Sequence, residues 1–167
     1  MSETIAKLSK RCVDILLAFL ALTILWPLLF ISILIMRLNT GKPGLFLQER
    51  IGLYGKKFYI YKIRTMKDIS GLNSVVTTAS DPRLTSFGKI FRKLKIDELP
   101  QLWNVLRGDM SIVGPRPEVE FYVNQIPSFK RKMILSMRPG ITGPASIKYR
   151  NEEKILANQS DPEKYNL

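Results

Sequence analysis

The sequence contains no histidine and one cysteine, Cys12. Without imidazole there is no Ser-His-Asp triad, no Cys-His pair, no HExxH zinc site and no histidine base. A single thiol leaves no internal disulfide framework and no cysteine-cluster metal site. There is no internal repeat and no low-complexity tail. Chemistry in this chain must therefore come from carboxylates, Lys, Arg, hydroxyls, backbone groups or a hard cation held by oxygen. Acidic groups are also scarce relative to basic ones: 14 Asp+Glu stand against 26 Lys+Arg, a formal charge of +12 on 167 residues. That length suits one domain.

The charge is concentrated. Residues 1–36 carry net +1, residues 37–138 carry 19 basic and eight acidic groups, and residues 139–167 are neutral. Such a field favours anionic partners: nucleic acid, an anionic membrane surface or phosphorylated substrates.

Ile15 to Met36 is a run of 22 residues interrupted only by Thr23, Pro27 and Ser32. As a straight helix it would be about 33 Å long, enough for a hydrocarbon core of about 30 Å. A signal-peptide core is shorter and ends at a small-residue cleavage site, which Ile-Met-Arg is not. The run is therefore expected to stay in the membrane. Lys7, Lys10 and Arg11 precede it; Arg37, Lys42, Arg50, Lys56 and Lys57 follow it. The positive-inside rule places both flanks in the cytoplasm. Pro27, near the middle, removes a backbone donor and frees the Thr23 carbonyl. The Thr23 hydroxyl is a candidate to help satisfy the loosened backbone. These features leave two geometries open, a proline-kinked spanning helix and a helix that enters and returns. Asp14, with Lys10 and Arg11 on the same face, reads as an interfacial ion pair.

Residues 37–44 read as a turn-rich linker. Leu45–Glu49 and Lys57–Met66 read as strands joined through Gly52-Leu53-Tyr54-Gly55, a small hairpin. Residues 68–83 read as a loop. Thr85 to Ile96 carries Phe87, Ile90, Phe91 and Leu94 at helical spacing, and Lys89, Arg92, Lys93 and Lys95 lie largely off that stripe. Asp97-Glu98-Leu99-Pro100 opens a second amphipathic helix whose buried face is expected at Leu99, Leu102, Trp103 and Leu106, with Gly108 as its stop. Asp97 then has two readings. It caps a helix, or it is a carboxylate held ionised by the helix dipole, Arg92 and Lys95, able to attack phosphorus or bind Mg²⁺. Arg116, between Pro115 and Pro117, is a guanidinium on a stiff mount, suited either to gripping phosphate or to an ion pair within a Pro-rich loop. Helices are expected around Val119–Ile126 and Ser128–Met137, with Lys130, Arg131 and Lys132 facing anionic lipid. Arg138-Pro139-Gly140-Ile141-Thr142-Gly143-Pro144 reads as another stiff loop.

The stretch from Lys95 to Ser111, KIDELPQLWNVLRGDMS, runs directly into Val113-Gly114-Pro115-Arg116-Pro117. It resembles the signature of the bacterial sugar transferases, the monotopic phosphoglycosyl transferases. Lys10-Arg11 with Asp14, Tyr61-Lys62-Ile63-Arg64-Thr65-Met66, and Arg138-Pro139-Gly140-Ile141-Thr142-Gly143 match in the same order. The resemblance implies an α+β fold, mainly helical and monotopic. It implies a re-entrant membrane helix within residues 1–36 and a membrane-associated catalytic domain over residues 37–167. It also implies transfer of a phosphosugar from a UDP-sugar to polyprenol phosphate, with Mg²⁺, release of UMP, and a location on the cytoplasmic face of the bacterial inner membrane. Carried onto this sequence, Asp97 is the nucleophile and metal ligand and Glu98 its acidic partner. Lys62, Arg92 and Arg116 handle phosphate, and Arg138 is a weaker candidate. Two departures stand out. Trp26 precedes Pro27 where the family often has a small polar residue. Relatives also commonly continue past a segment like Asp161-Pro162-Glu163-Lys164-Tyr165, which implies a shortened chain here.

The rival class is a membrane-tethered protein that binds nucleic acid or anionic lipid without catalysis. Net charge and the interleaved Phe58, Tyr59, Tyr61, Phe87 and Phe91 permit it. The Asp97-Glu98 pair argues against it, because carboxylates repel a phosphate backbone. No nucleic-acid partner is therefore expected, and the sequence assigns neither the sugar nor an oligomeric state.

Overall fold

The computed structural model describes residues 2–69 and 81–148. Most of the expected 68–83 loop and the segment around Asp161 lie outside the described residues. The fold mixes helix and sheet around one long apolar helix.

Helix α1 runs from Ser2 to Thr40, 39 residues, with Pro27 inside it. It is longer than the apolar run because both polar flanks continue the helix, and it takes in the first residues of the expected linker. Gly41, at φ 69°, ends it. The Thr23 hydroxyl donates to the Phe19 carbonyl at 2.9 Å, one turn before the Thr23 carbonyl that Pro27 frees. It therefore does not satisfy the proline gap. It adds a second perturbation one turn away, since a Thr hydroxyl bonded back to residue i−4 favours bending.

The less exposed positions of α1 recur every three or four residues: Arg11, Asp14, Ala18, Leu22, Leu25, Leu29, Ser32 and Met36. This stripe packs along the rest of the protein. Ala18 joins Ile60, Leu102, Val105 and Met110 in one core cluster, and Leu29 and Met36 join Ile63 and Phe91 in a second. The other faces of α1 expose Phe19, Ile24, Trp26, Phe30 and Leu38. Such a surface suits lipid rather than water.

Strands β1 (Leu45–Ile51) and β2 (Lys57–Ile63) form the expected antiparallel hairpin, with Leu45 opposite Ile63 and Ile51 opposite Lys57. β2 stops short of Met66, which instead bridges to Leu84. The hairpin connection is the 3-10 turn Leu53–Gly55. Helix α2 (Ser86–Lys93) starts at Thr85, whose hydroxyl accepts from the Gly88 amide. Helix α3 (Gln101–Arg107) ends at Gly108 in the left-handed conformation, as the sequence predicts.

The apolar stripe of α2 is largely open, and the expected buried stripe of α3 is corrected at Trp103. On α2 and its end only Phe91 is buried, while Phe87, Ile90 and Leu94 are exposed. On α3 Leu102 is buried and Trp103 is exposed. Periodicity identifies an apolar face; it does not say whether protein or lipid covers it.

Two features escape the sequence reading. The short strands β3 (Ser111–Val113) and β4 (Gly140–Thr142) pair in parallel. Their backbones approach so closely that a Cβ on Gly140 would lie 2.1 Å from the Gly114 nitrogen. This contact joins the Val113–Pro117 segment to the Arg138–Gly143 segment, which is why glycine is needed at both positions. Helices α4 (Glu120–Gln125) and α5 (Ser128–Leu135) lie between the two strands, slightly shorter than expected. A short helix α6 (Pro144–Lys148) follows β4.

Candidate active site

The site is built where the turn between α2 and α3 meets β2. Lys95 takes a left-handed φ of 58°, and the chain then makes a 3-10 turn over Ile96–Glu98. This places Asp97 and Glu98 ahead of α3 rather than on it. The residue capping α3 is Pro100, and Asp97 makes no capping bond. The helix-cap reading of Asp97 is therefore set aside.

Asp97 is 7% exposed, and its Oδ1 is buried without a hydrogen-bond partner. A buried carboxylate oxygen that no protein group meets is costly unless water or a ligand meets it. Burial, and then the charge of Glu98, push the Asp97 carboxyl up to about 6, against the pull of Lys62, Arg92 and Lys95. Desolvation thus outweighs the neighbouring cations that would hold the carboxylate ionised. Asp97 is still mostly ionised at neutral pH.

Glu98 faces a shallow open cleft, lined also by Arg50, Ile60, Lys62, Gln101 and Arg116. Glu98 Oε1 stands 4.0 Å from Lys62 Nζ and 3.8 Å from Lys95 Nζ. Burial pushes the Lys62 ammonium down to about 8; Glu98 opposes that shift, and Arg116 and Arg50 add to it. Asp97 is the buried member of the acidic pair, beside the cleft rather than in its wall. Arg92 sits on the α2 side of Asp97, where its Nε donates to Thr65 Oγ1 at 3.0 Å. Arg116 carries a half-exposed guanidinium at the cleft.

The structure thus brings together Asp97, Glu98, Lys62, Arg92 and Arg116. It does not bring Arg138 to them. Arg138 Nε donates to the Gly108 carbonyl at 2.8 Å, beyond the end of α3, and the residue does not line the cleft. The Nε of Arg138 is thus engaged by the backbone at the end of α3.

Lys10, Arg11 and Asp14 form more than a surface ion pair. Lys10 does pair with Asp14 at 3.1 Å. Asp14 is buried and also accepts from Ser111 Oγ at 2.7 Å and the Ile112 amide at 3.2 Å. Burial would raise its carboxyl, but these hydrogen bonds outweigh that and hold it below the ordinary range. Arg11 leaves the pair altogether. Its Nη2 donates to the Val105 carbonyl at 2.7 Å and the Leu106 carbonyl at 3.3 Å, satisfying the open end of α3.

Three residues of the site region have no site role in the sequence reading. Arg50, next to the last residue of β1, has a largely buried side chain at the cleft. Gln101 and Asn104 are both buried, three residues apart on α3. Asn104 Nδ2 donates to the Tyr59 carbonyl at 2.7 Å, and its Oδ1 accepts from the Tyr61 amide at 3.1 Å. It pairs with the free edge of β2 and so fixes Lys62 relative to the turn that carries Asp97. The available signal was a polar pair at i, i+3 on the helix face that also carries Leu102 and Val105.

A hard cation fits this donor set. Among the described residues no cluster of three or more His, Cys, Asp or Glu exists, so no all-protein cage forms. The Asp97–Glu98 carboxylates and the unpartnered Asp97 Oδ1 suit a Mg²⁺-like ion that takes its other ligands from phosphate and water.

The family model described as bacterial sugar transferase matches residues 5–165. A UDP-glucose:undecaprenyl-phosphate glucose-1-phosphate transferase of Caulobacter vibrioides is 42% identical over 84% of this chain and 54% of its own length. A protein of the same name from Escherichia coli is 39% identical over 96% of this chain and 36% of its own. A UDP-N-acetylgalactosamine-undecaprenyl-phosphate N-acetylgalactosaminephosphotransferase of Aeromonas hydrophila is 42% identical over 83% of this chain and 33% of its own. The chain thus spans about a third to a half of the length of these relatives. With the family model covering nearly every residue and the acidic turn, the basic cleft and the long apolar helix all in place, the chain belongs to the bacterial sugar transferase family.

Proposed function

We propose that this chain is a phosphoglycosyl transferase at the cytoplasmic face of the bacterial inner membrane. It moves a sugar 1-phosphate from a UDP-sugar to undecaprenyl phosphate and releases UMP. The observation that carries this reading is Asp97, a buried carboxylate with one unpartnered oxygen beside a cleft walled by Arg50, Lys62 and Arg116. The activities for which the relatives are named supply the donor and acceptor classes.

An Asp97 oxygen attacks the phosphorus that carries the sugar. The bond from that phosphorus to the bridging oxygen breaks, and UMP leaves with the electron pair. An oxygen of the lipid phosphate then attacks the same phosphorus, and Asp97 returns as a carboxylate. Neither step needs a proton shuttle, which agrees with a sequence free of histidine. Lys62 and Arg116 hold the diphosphate, and Arg92 backs Asp97. Glu98 is kept in place by Lys62 and Lys95. Asp97, with Glu98 alongside, would hold Mg²⁺, which when bound offsets the charge on the departing UMP.

The test is UMP release from a panel of UDP-sugars with undecaprenyl phosphate. The panel includes glucose and N-acetylgalactosamine, the two sugars in the relatives' names. Release is expected with at least one donor and should stop when divalent ions are stripped. Silence across the panel sinks the transferase reading; full activity in EDTA removes the metal from it.

The pH profile has a definite sign. Asp97 must be ionised to attack, so kcat/KM falls as pH drops below about 6. Lys62 must be charged to hold the diphosphate, so kcat/KM falls again above about 8. Lys62→Arg keeps its charge at high pH and should extend the basic limb. A basic limb that Lys62→Arg leaves in place would separate it from Lys62.

A further inference from the structure

Glu118 follows the stiff Pro115–Pro117 segment and divides its two oxygens. Arg50 Nη1 donates to Oε2 at 3.3 Å, while Oε1 stands 3.7 Å from Arg116 Nε. The same Arg50 nitrogen donates to the Pro117 carbonyl at 3.2 Å, and Arg50 Nη2 donates to Gln48 Oε1 at 2.8 Å. The Ile51 amide donates to the Glu118 carbonyl at 2.9 Å. Backbone and side chain together thus pin the Arg116 segment to the end of β1.

Arg50, Lys62 and Arg116 wall one cleft. Three cations so placed repel one another and need counter-charge when no anion is bound. Glu98 serves Lys62 from one side. Glu118 serves the two arginines from the other. Arg50 is 13% exposed at its side chain, where an unpaired guanidinium would be costly. Arg116 is 43% exposed and on a long side chain, so it needs something to orient it. Glu118 meets Arg116 as an ion pair, 3.7 Å from Nε and outside hydrogen-bond range, so its attraction acts at the base of the guanidinium. It steers the head without occupying the Nη end.

We propose that Glu118 is a positioning residue for the transfer: bridging Arg50 and Arg116, it holds the Arg116 guanidinium at the cleft with its Nη end free for the donor's diphosphate. This rests on the proposed function only in naming that diphosphate. Inorganic pyrophosphate is therefore the probe, because its binding can be read without turnover.

The experiment is a double-mutant cycle on the whole chain, with pyrophosphate affinity by titration calorimetry and the KM and kcat for the UDP-sugar. Glu118→Gln keeps size and an acceptor for Arg50 but loses the charge. It should weaken pyrophosphate about tenfold and raise KM similarly, with kcat within about threefold. In an Arg116→Ala background the same change should cost less than about twofold, because its route is already gone. Glu118→Asp, which keeps the charge, should recover part of the loss. Losses that multiply in the double variant, unchanged affinity in Glu118→Gln, or no pyrophosphate binding by the parent chain each overturn the proposal. Coupled pyrophosphate binding without UMP release would instead fail the transferase reading and leave the positioning role standing.

Discussion

Asp97→Asn is expected to abolish UMP release and at the same time to make the protein more stable at neutral pH. The first effect follows from chemistry: an amide oxygen has no charge to direct at phosphorus and forms no acyl phosphate. With labelled UDP-sugar and no acceptor, the parent chain should acquire a covalent label and the variant none. A label that persists in Asp97→Asn removes Asp97 from the nucleophile role. The second effect follows from burial. The folded state raises the Asp97 carboxyl from 3.8 to about 6. A carboxyl raised on folding favours the fold at low pH, and that advantage disappears as pH climbs through about 6. Above that value the fold carries a desolvated carboxylate that the unfolded chain hydrates freely. A shift of this size corresponds to about 2–3 kcal/mol. The neutral amide avoids that cost. In EDTA at pH 7.5 or so the variant should therefore melt several degrees higher, by the usual conversion for a domain of this size. The gain should vanish below about pH 4, where both states of the parent are protonated. A variant that is dead and equally unstable at all pH values would mean that the turn around Asp97 had collapsed, and the loss of label would then say nothing about nucleophilicity. The paired measurement distinguishes a removed nucleophile from a broken site.

The same turn shows what a sequence discloses and what it hides. Asp97-Glu98 stood out as a carboxylate pair at the start of an amphipathic stretch and Arg116 as a guanidinium between two prolines, whereas Lys62 entered only through the resemblance of its motif. The hairpin was legible from its aromatic and β-branched runs around a glycine-bounded connection, and the end of α3 from Gly108. The charge state of Asp97 was not, since it depends on how much water Leu99, Pro100 and β2 exclude, and that is a tertiary quantity. Arg50 read as one more basic residue after the membrane run. Its burial depends on Glu118, sixty-eight residues along the chain. Three-residue strands such as β3 and β4 carry too short a pattern to be seen. Arg138 was singled out by its matching motif alone; the bond from its Nε to the Gly108 carbonyl, thirty residues away, is a tertiary contact that no local pattern announces.

The two ends of α1 are expected to lie on the same, cytoplasmic side of the membrane. The reason is now mechanical as well as electrostatic. At one end Arg11 and Asp14 are bonded to Val105, Ser111 and Ile112. At the other, Met36 is fully buried with Ile63 and Phe91, and the Arg64 amide donates to the Gly44 carbonyl at 2.7 Å. A straight crossing by Ile15–Met36 would separate these ends by about 33 Å and put a bilayer between them. The domain that binds both would then have to lie on both sides at once. Charge asks for the same result, because basic residues flank the run on each side. Pro27 and the back-bonded Thr23, one turn apart, are the natural place for the helix to bend. Lipid then meets the exposed face with Phe19, Ile24 and Phe30, and the catalytic cleft stays near the headgroups, where the acceptor phosphate resides. With Cys12 replaced by Ser, single probes at Ser2→Cys and Lys56→Cys should both resist a membrane-impermeant maleimide applied to intact cells, and both should react with a permeant one. Labelling of the Ser2 probe alone from outside would mean that the helix spans. The Asp97 chemistry would survive that result; the packing of α1 along the domain would not. Pro27→Ala tests the cause. Restoring the missing donor stiffens the helix at its bend, so part of the population should expose the Ser2 probe, and transfer should fall in proportion as the N-terminal contacts with α3 and β3 are lost.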